Sequence, residues 1–267
     1  MVKCVVGLLL LAAMGCTSSQ GSNAVTPAAG NAERTDVQTA SEGTAPEREH
    51  ATAKDDSAPR PEPPASRVVE LAVDGFSPAV LVLPDDLGSR RPVLIATHGA
   101  GDGPEWQCET WQGIVRGRGF ILCPRGVRLT ADPKVTSGYF YRNHLELERE
   151  VLAAVEALER AYAREVDASA VVYTGYSQGA TMGVLMLIQH AALFPRLILV
   201  EGGHQDWSPR MAKQYKEKGG LRVLLACGGA HCNNNARRSA KWLDAEGVVA
   251  RAEYVVGAGH TYGGPVA

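Results

Sequence analysis

The strongest constraint on how this chain folds is a serine between two glycines, at residues 175–179 (G-Y-S-Q-G). A β-branched and aromatic run precedes this pentapeptide at residues 171–174, and an apolar stretch with helical character follows it at residues 180–188. Where a strand turns directly into a helix, the corner is too tight for side chains at the flanking positions, and glycine is needed there. The pattern therefore predicts that Ser177 lies on a strained turn, with its hydroxyl exposed above the N-terminus of a helix.

Short β-type runs alternate with helical segments in the folded region, which we place at residues 67–267. The predicted strands lie at residues 68–73, 79–83, 93–97, 120–123, 171–174, 197–200, 222–226 and 249–255. The predicted helices lie at residues 145–162, after Ser177, and at residues 235–246. Strands that alternate with helices indicate a mostly parallel central sheet with helices on both faces, so the sequence predicts the α/β class.

The N-terminal segment, residues 1–16, has the features of an export signal. Lys3 is followed by an apolar run at residues 5–13, which is too short to remain in a bilayer as a spanning helix. Residues 13–16 (A-M-G-C) resemble a bacterial lipobox, although leucine is more usual where Ala13 stands. The resemblance implies that Cys16 carries diacylglycerol and anchors an exported lipoprotein to a membrane, with the outer membrane favoured because Thr17 is not aspartate. An ordinary secretory signal cut nearby is the alternative.

Residues 17–66 are rich in Ala, Ser, Thr, Gly, Pro, Glu and Asp and contain almost no large apolar side chains. Such a segment cannot bury enough surface to offset the entropy lost on ordering, so we expect a disordered tether. As a flexible coil it would span roughly 40 Å, which suits a domain held away from a membrane.

Four cysteines remain beyond the signal and Cys16, and an even number in an exported protein suggests disulfides. We predict the pairs Cys108–Cys123 and Cys227–Cys232, because each joins the end of a predicted strand to a segment nearby. Four buried free thiols are the alternative. A metal site is less expected, since no second C-x-x-C and no spaced histidine pair accompanies these cysteines.

The charge of the chain points to neither nucleic acid nor a cofactor. The formal net charge is −2, from 27 basic and 29 acidic side chains, and no basic stripe is present. No nucleotide-binding or metal-binding motif appears, so we expect no nucleic-acid partner, no cofactor and no metal. The sequence leaves the oligomeric state open.

A serine hydroxyl is a weak nucleophile and needs a base and donors for the developing oxyanion. The candidate base is His260, the only histidine after the last predicted strand, in a glycine-rich loop at residues 257–262. His144 and His190 fall on or near predicted helices, which favours structural roles for them.

The candidate oxyanion donors are two backbone N–H groups. One belongs to Ala100, in the segment at residues 97–102 (T-H-G-A-G-D) that follows an apolar strand, and the other to Gln178. Gly99 and Gly101 allow this segment to turn its amides inward. A plain strand-to-helix turn is the alternative reading.

Together, residues 98–102 (H-G-A-G-D), 123–126 (C-P-R-G), 175–179 and 259–260 (G-H) resemble the phospholipase/carboxylesterase branch of the α/β-hydrolases, which includes acyl-protein thioesterases and has dienelactone hydrolases as relatives. The resemblance covers about residues 67–263. It implies an α/β-hydrolase sheet and hydrolysis of carboxylic esters or thioesters through an acyl-enzyme on Ser177.

The acid of the expected triad departs from the family pattern. Where the family has aspartate after the penultimate strand, this chain has His231, and histidine cannot supply a fixed negative charge. Some α/β-hydrolases take the acid from the end of the preceding strand. Glu201 stands there and is the first choice, Asp206 is the second, and the absence of any acid is the third.

Two further interpretations stay open at this level. A chain that kept the fold and lost the acid would be a non-catalytic binding lipoprotein, because a fold does not fix a function. An exported depolymerase acting on polyesters or esterified polysaccharides would share the triad and differ in the shape of its groove.

Overall fold

The computed structural model describes residues 68–132 and 137–262. Over these residues the strands are β1 (Val68–Leu71), β2 (Ala79–Val82), β3 (Arg91–Thr97), β4 (Phe120–Cys123), β5 (Val127–Arg128), β6 (Tyr139–Phe140), β7 (Val166–Tyr176), β8 (Arg196–Val200), β9 (Arg222–Cys227) and β10 (Val249–Tyr254). The helices are α1 (Pro104–Val115), α2 (His144–Ala161), α3 (Gln178–Leu187), α4 (Pro209–Glu217) and α5 (Ala230–Ala245).

In the described part of the chain, eight strands form one sheet in the order β1-β2-β4-β3-β7-β8-β9-β10. Neighbouring strands from β4 to β10 in this order are parallel, whereas β2 pairs antiparallel with both β1 and β4. β5 and β6 form a separate antiparallel pair. The prediction of a mostly parallel α/β sheet is confirmed.

Helices cover both faces of this sheet. Successive side chains of a strand point to opposite faces. Ile95 accordingly lies in the larger apolar cluster, with residues of α2, α3, α4 and α5. Its neighbour Leu94 lies in the smaller cluster, with Trp111 of α1. Because both faces are covered, β4 is apolar and buried at every position.

Two helices were not predicted from the sequence. The stripe that α1 buries includes the polar Gln107, and α4 buries only Ala212 and Tyr215, so neither shows a clear apolar period. α5 begins at Ala230 rather than near residue 235. The start was predicted too late because the first turns of this helix are polar and show no apolar period. β7 begins at Val166, five residues before the expected start, in a stretch with few β-favouring side chains.

Both predicted disulfides are present. Cys108 of α1 is bonded to Cys123 at the end of β4, with 5.9 Å between the Cα atoms. Cys227 at the end of β9 is bonded to Cys232 in the first turn of α5, with 5.6 Å between the Cα atoms. The first bond ties a helix to the sheet, and the second closes the connection between a strand and the helix that follows it.

The predicted signal with Cys16 and the predicted tether at residues 17–66 lie outside the described residues. Among the helices of residues 68–132 and 137–262, none has the length and apolar character needed to cross a membrane.

Replacement of Cys108 and Cys123 by alanine is expected to lower the free energy of unfolding by about 3 kcal/mol. The bond joins residues 15 positions apart, and closing a loop of this length removes that much conformational entropy from the unfolded chain. Urea unfolding followed by far-UV circular dichroism measures this loss. A loss below about 1 kcal/mol would contradict the expectation that the bond restricts the unfolded state.

Candidate active site

Ser177 occupies the corner between β7 and α3, with φ 48° and ψ −108°. A positive φ is strained for a residue other than glycine and costs on the order of 1–3 kcal/mol. The flanking glycines are required by close backbone contacts: a Cβ on Gly175 would lie 2.6 Å from the backbone nitrogen of Ala180, and one on Gly179 would lie 2.7 Å from the carbonyl oxygen of Thr97. The predicted strained turn is therefore present.

Hydrogen bonds from both neighbouring strands fix this corner. The backbone N–H of Ser177 donates to the carbonyl of Val200 at the end of β8, at 2.9 Å. The N–H of Gly179 donates to the carbonyl of His98, just after β3, at 3.2 Å. The strained backbone at Ser177 is thus held in place by hydrogen bonds to the ends of both neighbouring strands.

The imidazole of His260 lies between the serine and a carboxylate. Its Nε2 is 3.0 Å from Ser177 Oγ, and its Nδ1 is 3.1 Å from Glu201 Oε2. In the tautomer that suits both contacts, Nδ1–H donates to the carboxylate and Nε2 accepts from the hydroxyl. The His260 side chain is 58% exposed, whereas that of Glu201 is 4% exposed.

Glu201 follows β8 directly and has a positive φ of 52°. Its backbone N–H donates to the carbonyl of Ala226 at 2.9 Å. Its second carboxylate oxygen, Oε1, accepts the backbone N–H of Gly228. A buried carboxylate needs partners for its oxygens, and here both oxygens have one.

Asp206, the second candidate for the acid, does not take this place, because Glu201 occupies His260 Nδ1. Within the described residues its Oδ2 is buried without a hydrogen-bond partner, and burial raises the pKa of its carboxyl group. His231, at the position where the resemblance expects an aspartate, is exposed on α5 beside the amide of Asn235.

The loop after β3 brings Ala100 to the surface near the corner. Within the described part of the chain, the backbone N–H groups of Ala100 and Gln178 donate to no other backbone group. The N–H of Gly101 donates to the carbonyl of Tyr139 at 2.8 Å, and the N–H of Tyr139 donates to the carbonyl of Asp102 at 2.6 Å. β6 therefore braces the loop while two N–H groups remain available. Gly99 is packed against Tyr176, where a Cβ would lie 2.9 Å from the ring.

His98 joins this loop to the segment after β4. It is fully buried, with Nδ1 2.8 Å from the Gly99 carbonyl and Nε2 2.9 Å from the Arg125 carbonyl. Burial lowers the pKa of His98, which favours the neutral ring. Two of the segments that carried the family resemblance, at residues 98–102 and 123–126, are thus in direct contact.

Aromatic side chains support the loop that carries His260. The Tyr176 hydroxyl donates to the His260 carbonyl at 3.1 Å, and the two ring centroids are 5.4 Å apart. The ring of Tyr262 stacks on Tyr176 at 5.1 Å and is 2% exposed. Sequence reasoning did not identify these supports; their only signal was a tyrosine next to the serine and another two residues after the histidine.

Gln178 supports the same region from the other side. Its side-chain amide accepts the backbone N–H of Tyr141 at 2.8 Å and donates to the Tyr141 carbonyl at 3.1 Å. This paired contact fixes the segment after β6 to the residue that follows the nucleophile candidate. It was not expected from the sequence.

Two other features of the described residues have some of the properties of a ligand site. His204, Cys227 and Cys232 place one nitrogen and two sulfur atoms within 4.8 Å of one another, but the two sulfurs are bonded in the disulfide and offer no thiolate.

A cavity of about 370 Å³ lies beside α2, and neither Ser177 nor His260 contributes to its lining, which includes Phe76, Phe140, Tyr141, Glu146 and Glu150. Reaction at Ser177 requires contact with its Oγ, so we place the candidate active site at the open surface around that atom.

No family model and no curated protein sequence matches this chain. Its structure is similar to that of TT1662 from Thermus thermophilus, with a TM-score of 0.55 and 16% identity over 73% of this chain and 91% of that one. It is also similar to a dienelactone hydrolase-like promiscuous phosphotriesterase from metagenomic libraries, with a TM-score of 0.54 and 17% identity over 75% of this chain and 84% of that one. A ferulic acid esterase gives a TM-score of 0.52 and 13% identity over 73% and 92% of the two chains. At these identities the similarity establishes the α/β-hydrolase fold.

The burial of the Asp206 carboxyl group, whose Oδ2 has no hydrogen-bond partner among the described residues, has a measurable consequence for stability. Because burial raises its pKa, the folded state favours the protonated form, and stability is lost as pH rises through the carboxyl range. The urea concentration at the unfolding midpoint of Asp206→Asn is therefore expected to increase relative to that of the wild type as the pH rises from about 3 to 7.

Asp167→Asn provides a control of opposite sign. The Ser169 hydroxyl and backbone N–H lower the pKa of Asp167, so this carboxylate stabilises the fold at neutral pH and loses that effect as pH falls. Parallel urea titrations of both variants against pH measure the two trends. The same trend in both would contradict the assignment of burial as the cause at Asp206.

Proposed function

We propose that the protein is a serine hydrolase that cleaves carboxylic esters or thioesters of small molecules through an acyl-enzyme on Ser177. The observation that carries this proposal is the continuous line of contacts from Ser177 through His260 to Glu201, at 3.0 Å and 3.1 Å. A hydroxyl becomes an effective nucleophile when a base accepts its proton and a third group orients that base.

The first half of the reaction forms the acyl-enzyme. Ser177 Oγ attacks the acyl carbon while its proton moves to His260 Nε2, and the N–H groups of Ala100 and Gln178 donate to the oxyanion that forms. His260 then gives the proton to the departing alcohol or thiol as the tetrahedral intermediate collapses.

The second half releases the acid. A water molecule takes the place of the leaving group, His260 accepts its proton, and the resulting hydroxide attacks the acyl carbon. The same N–H groups hold the second oxyanion, and His260 returns the proton to Ser177 Oγ. Through both halves Glu201 keeps Nδ1–H oriented and stabilises the transient imidazolium.

The contrast in burial between the acid and the base supports these roles. Glu201 is 4% exposed, so its carboxylate is largely shielded from solvent. His260 is open to the surface, where substrate and water can reach Nε2. This contact favours the enzyme over the non-catalytic binding protein, which rested on the loss of the acid.

The solved structures named above include an esterase and a dienelactone hydrolase-like phosphotriesterase, which agrees with hydrolysis as the class of reaction. The choice of carboxylic esters and thioesters follows from the sequence resemblance. A depolymerase for polyesters or esterified polysaccharides would use the same three side chains.

We further propose that the enzyme is an exported lipoprotein, anchored through Cys16 and held away from the membrane by residues 17–66. The support for this is the lipobox-like segment at residues 13–16 and the composition of the tether.

A panel of variants tests the reaction. Ser177→Ala is expected to abolish labelling by a fluorophosphonate probe and to lower kcat for p-nitrophenyl esters at least about 10⁴-fold, because the nucleophile is removed. Glu201→Gln is expected to lower kcat roughly 10³- to 10⁴-fold, because the neutral amide no longer stabilises the imidazolium.

Matched controls come from the same chain. Ser169→Ala removes an exposed hydroxyl on the strand that carries Ser177, and Asp206→Asn removes the other candidate acid. Both are expected to keep kcat within about threefold of wild type. Probe labelling that survives Ser177→Ala, or a large loss in Asp206→Asn with none in Glu201→Gln, would contradict the proposed roles.

The anchor is tested by Cys16→Ser, with Cys4→Ser as the control within the same signal. In a bacterial host, the first variant is expected to move the protein from the membrane fraction to the soluble fraction, because no thiol remains to carry lipid. The second is expected to stay with the membranes. Membrane association of Cys16→Ser equal to wild type would refute the lipid anchor at this residue.

A further inference from the structure

A small disulfide-closed loop, residues 227–232 (C-G-G-A-H-C), connects β9 to α5 beside the candidate triad. We call it the cysteine loop. Cys227 ends β9 and Cys232 lies in the first turn of α5, so the bond fixes the distance between this strand and the helix that follows it. Both cysteines are buried. The backbone enclosed between them has little freedom to move.

Gly228, inside the cysteine loop, contacts both the acid and the base-bearing segment. Its N–H donates to Glu201 Oε1, the carboxylate oxygen that does not contact His260. Its carbonyl accepts the N–H of Gly259, the residue before His260, at 3.0 Å. One peptide segment therefore sets the position of Glu201 and of His260 relative to each other.

The contact is close enough to exclude any side chain at this position. A Cβ on Gly228 would lie 2.2 Å from the Gly259 carbonyl oxygen and 3.0 Å from the Ala258 Cβ. A Cβ on the adjacent Gly229 would meet no atom within 4 Å. The two glycines of the loop thus differ in the space around them: a side chain at Gly228 would clash with the His260 segment, and a methyl group at Gly229 would meet no atom within 4 Å.

The disulfide itself is held against the segment that follows Glu201. Cys232 Sγ is 3.4 Å from His204 Nδ1, and the Ser239 hydroxyl of α5 donates to the His204 carbonyl at 2.7 Å. The cysteine loop is therefore linked to the acid from two directions: through Gly228 to the Glu201 carboxylate, and through His204 to the backbone three residues further on.

We propose that the Cys227–Cys232 disulfide is a positioning element for catalysis, acting through Gly228 on Glu201 and His260, and that a dithiol reductant lowers the activity by opening it. The inference rests on the proposed function. A displacement of reacting groups by about 1 Å can cost on the order of 10²-fold in rate, so a loosened Gly228 is sufficient to affect kcat.

The chemical step is thiol–disulfide exchange. One thiolate of the dithiol attacks a sulfur of the Cys227–Cys232 bond and forms a mixed disulfide, which releases the other cysteine as a thiolate. The second thiolate of the reductant then displaces the remaining cysteine. The dithiol supplies two electrons and ends as a cyclic disulfide, and the two cysteine thiolates take up protons released by the reductant.

The experiment uses full-length protein with each disulfide removed in turn. Cys227→Ala/Cys232→Ala is expected to lower kcat roughly 10- to 100-fold with KM within about twofold, because the geometry of the reacting groups is lost while the surface that binds substrate remains. Cys108→Ala/Cys123→Ala is expected to keep wild-type kcat, despite its lower stability, since that bond contacts none of the three side chains.

Dithiothreitol provides the second arm. It is expected to reduce the kcat of wild type and of Cys108→Ala/Cys123→Ala by the same factor, with recovery after oxidised glutathione, and to leave Cys227→Ala/Cys232→Ala unchanged. Far-UV circular dichroism at the assay temperature checks that each protein is folded. Wild-type kcat in Cys227→Ala/Cys232→Ala would overturn the proposal.

The glycine pair provides a test without redox chemistry. Gly228→Ala is expected to lower kcat by a factor similar to that of the Cys227→Ala/Cys232→Ala variant, whereas Gly229→Ala is expected to keep wild-type kcat. Equal effects of the two substitutions would contradict the assignment of the contact to Gly228.

A spectroscopic readout separates this inference from the proposed function. In wild type, the Nδ1–H of His260 donating to a carboxylate should give a downfield proton resonance, which Glu201→Gln should remove. We expect the resonance to be weakened in Gly228→Ala and Cys227→Ala/Cys232→Ala and retained in Cys108→Ala/Cys123→Ala. If wild type hydrolyses no ester but the resonance follows this pattern, the hydrolase proposal fails and the positioning role stands; a resonance unaffected in Gly228→Ala refutes the positioning role.

Discussion

The strained backbone at Ser177 is the constraint on which the site depends. β7 lies between β3 and β8 in the sheet, so the loops that follow these two strands emerge on either side of the serine. The loop after β3 brings the N–H of Ala100, and the end of β8 brings Glu201. Because parallel strands end at one edge of the sheet, chain segments far apart in sequence meet at a single hydroxyl. The serine can reach both only because its own backbone turns abruptly out of the strand.

The two titratable side chains beside Ser177 differ in their exposure to solvent, because the carboxylate of Glu201 is buried and the imidazole of His260 is exposed. Glu201 exchanges its hydration for the N–H of Gly228 and the ring of His260, which satisfies both oxygens. His260 stays accessible, with Tyr176 and Tyr262 packed behind its loop. In the reaction that we propose, the protected carboxylate orients the imidazole, and the exposed imidazole exchanges a proton with substrate and water.

Most of the sheet and the three aligned side chains could be predicted, because short-range patterns carry them: glycines around Ser177, a carboxylate directly after β8, and a histidine beyond the last strand. The helices α1 and α4 could not, since their buried faces are small and partly polar. The supports around the site were also missed. The contacts of His98 with Arg125 and of Gln178 with Tyr141 join residues 27 and 37 positions apart through side chain and backbone, and no periodic pattern records such pairs.

The two disulfides also bear on how the chain reaches its native state. Four cysteines allow three pairings, and the native one joins each cysteine to its nearest partner along the chain, 15 and 5 residues away. Short separations make these encounters the most frequent ones in an unfolded chain. A polypeptide oxidised progressively from its N-terminal end would form both native crosslinks in order of emergence, without passing through a scrambled isomer that an isomerase must correct.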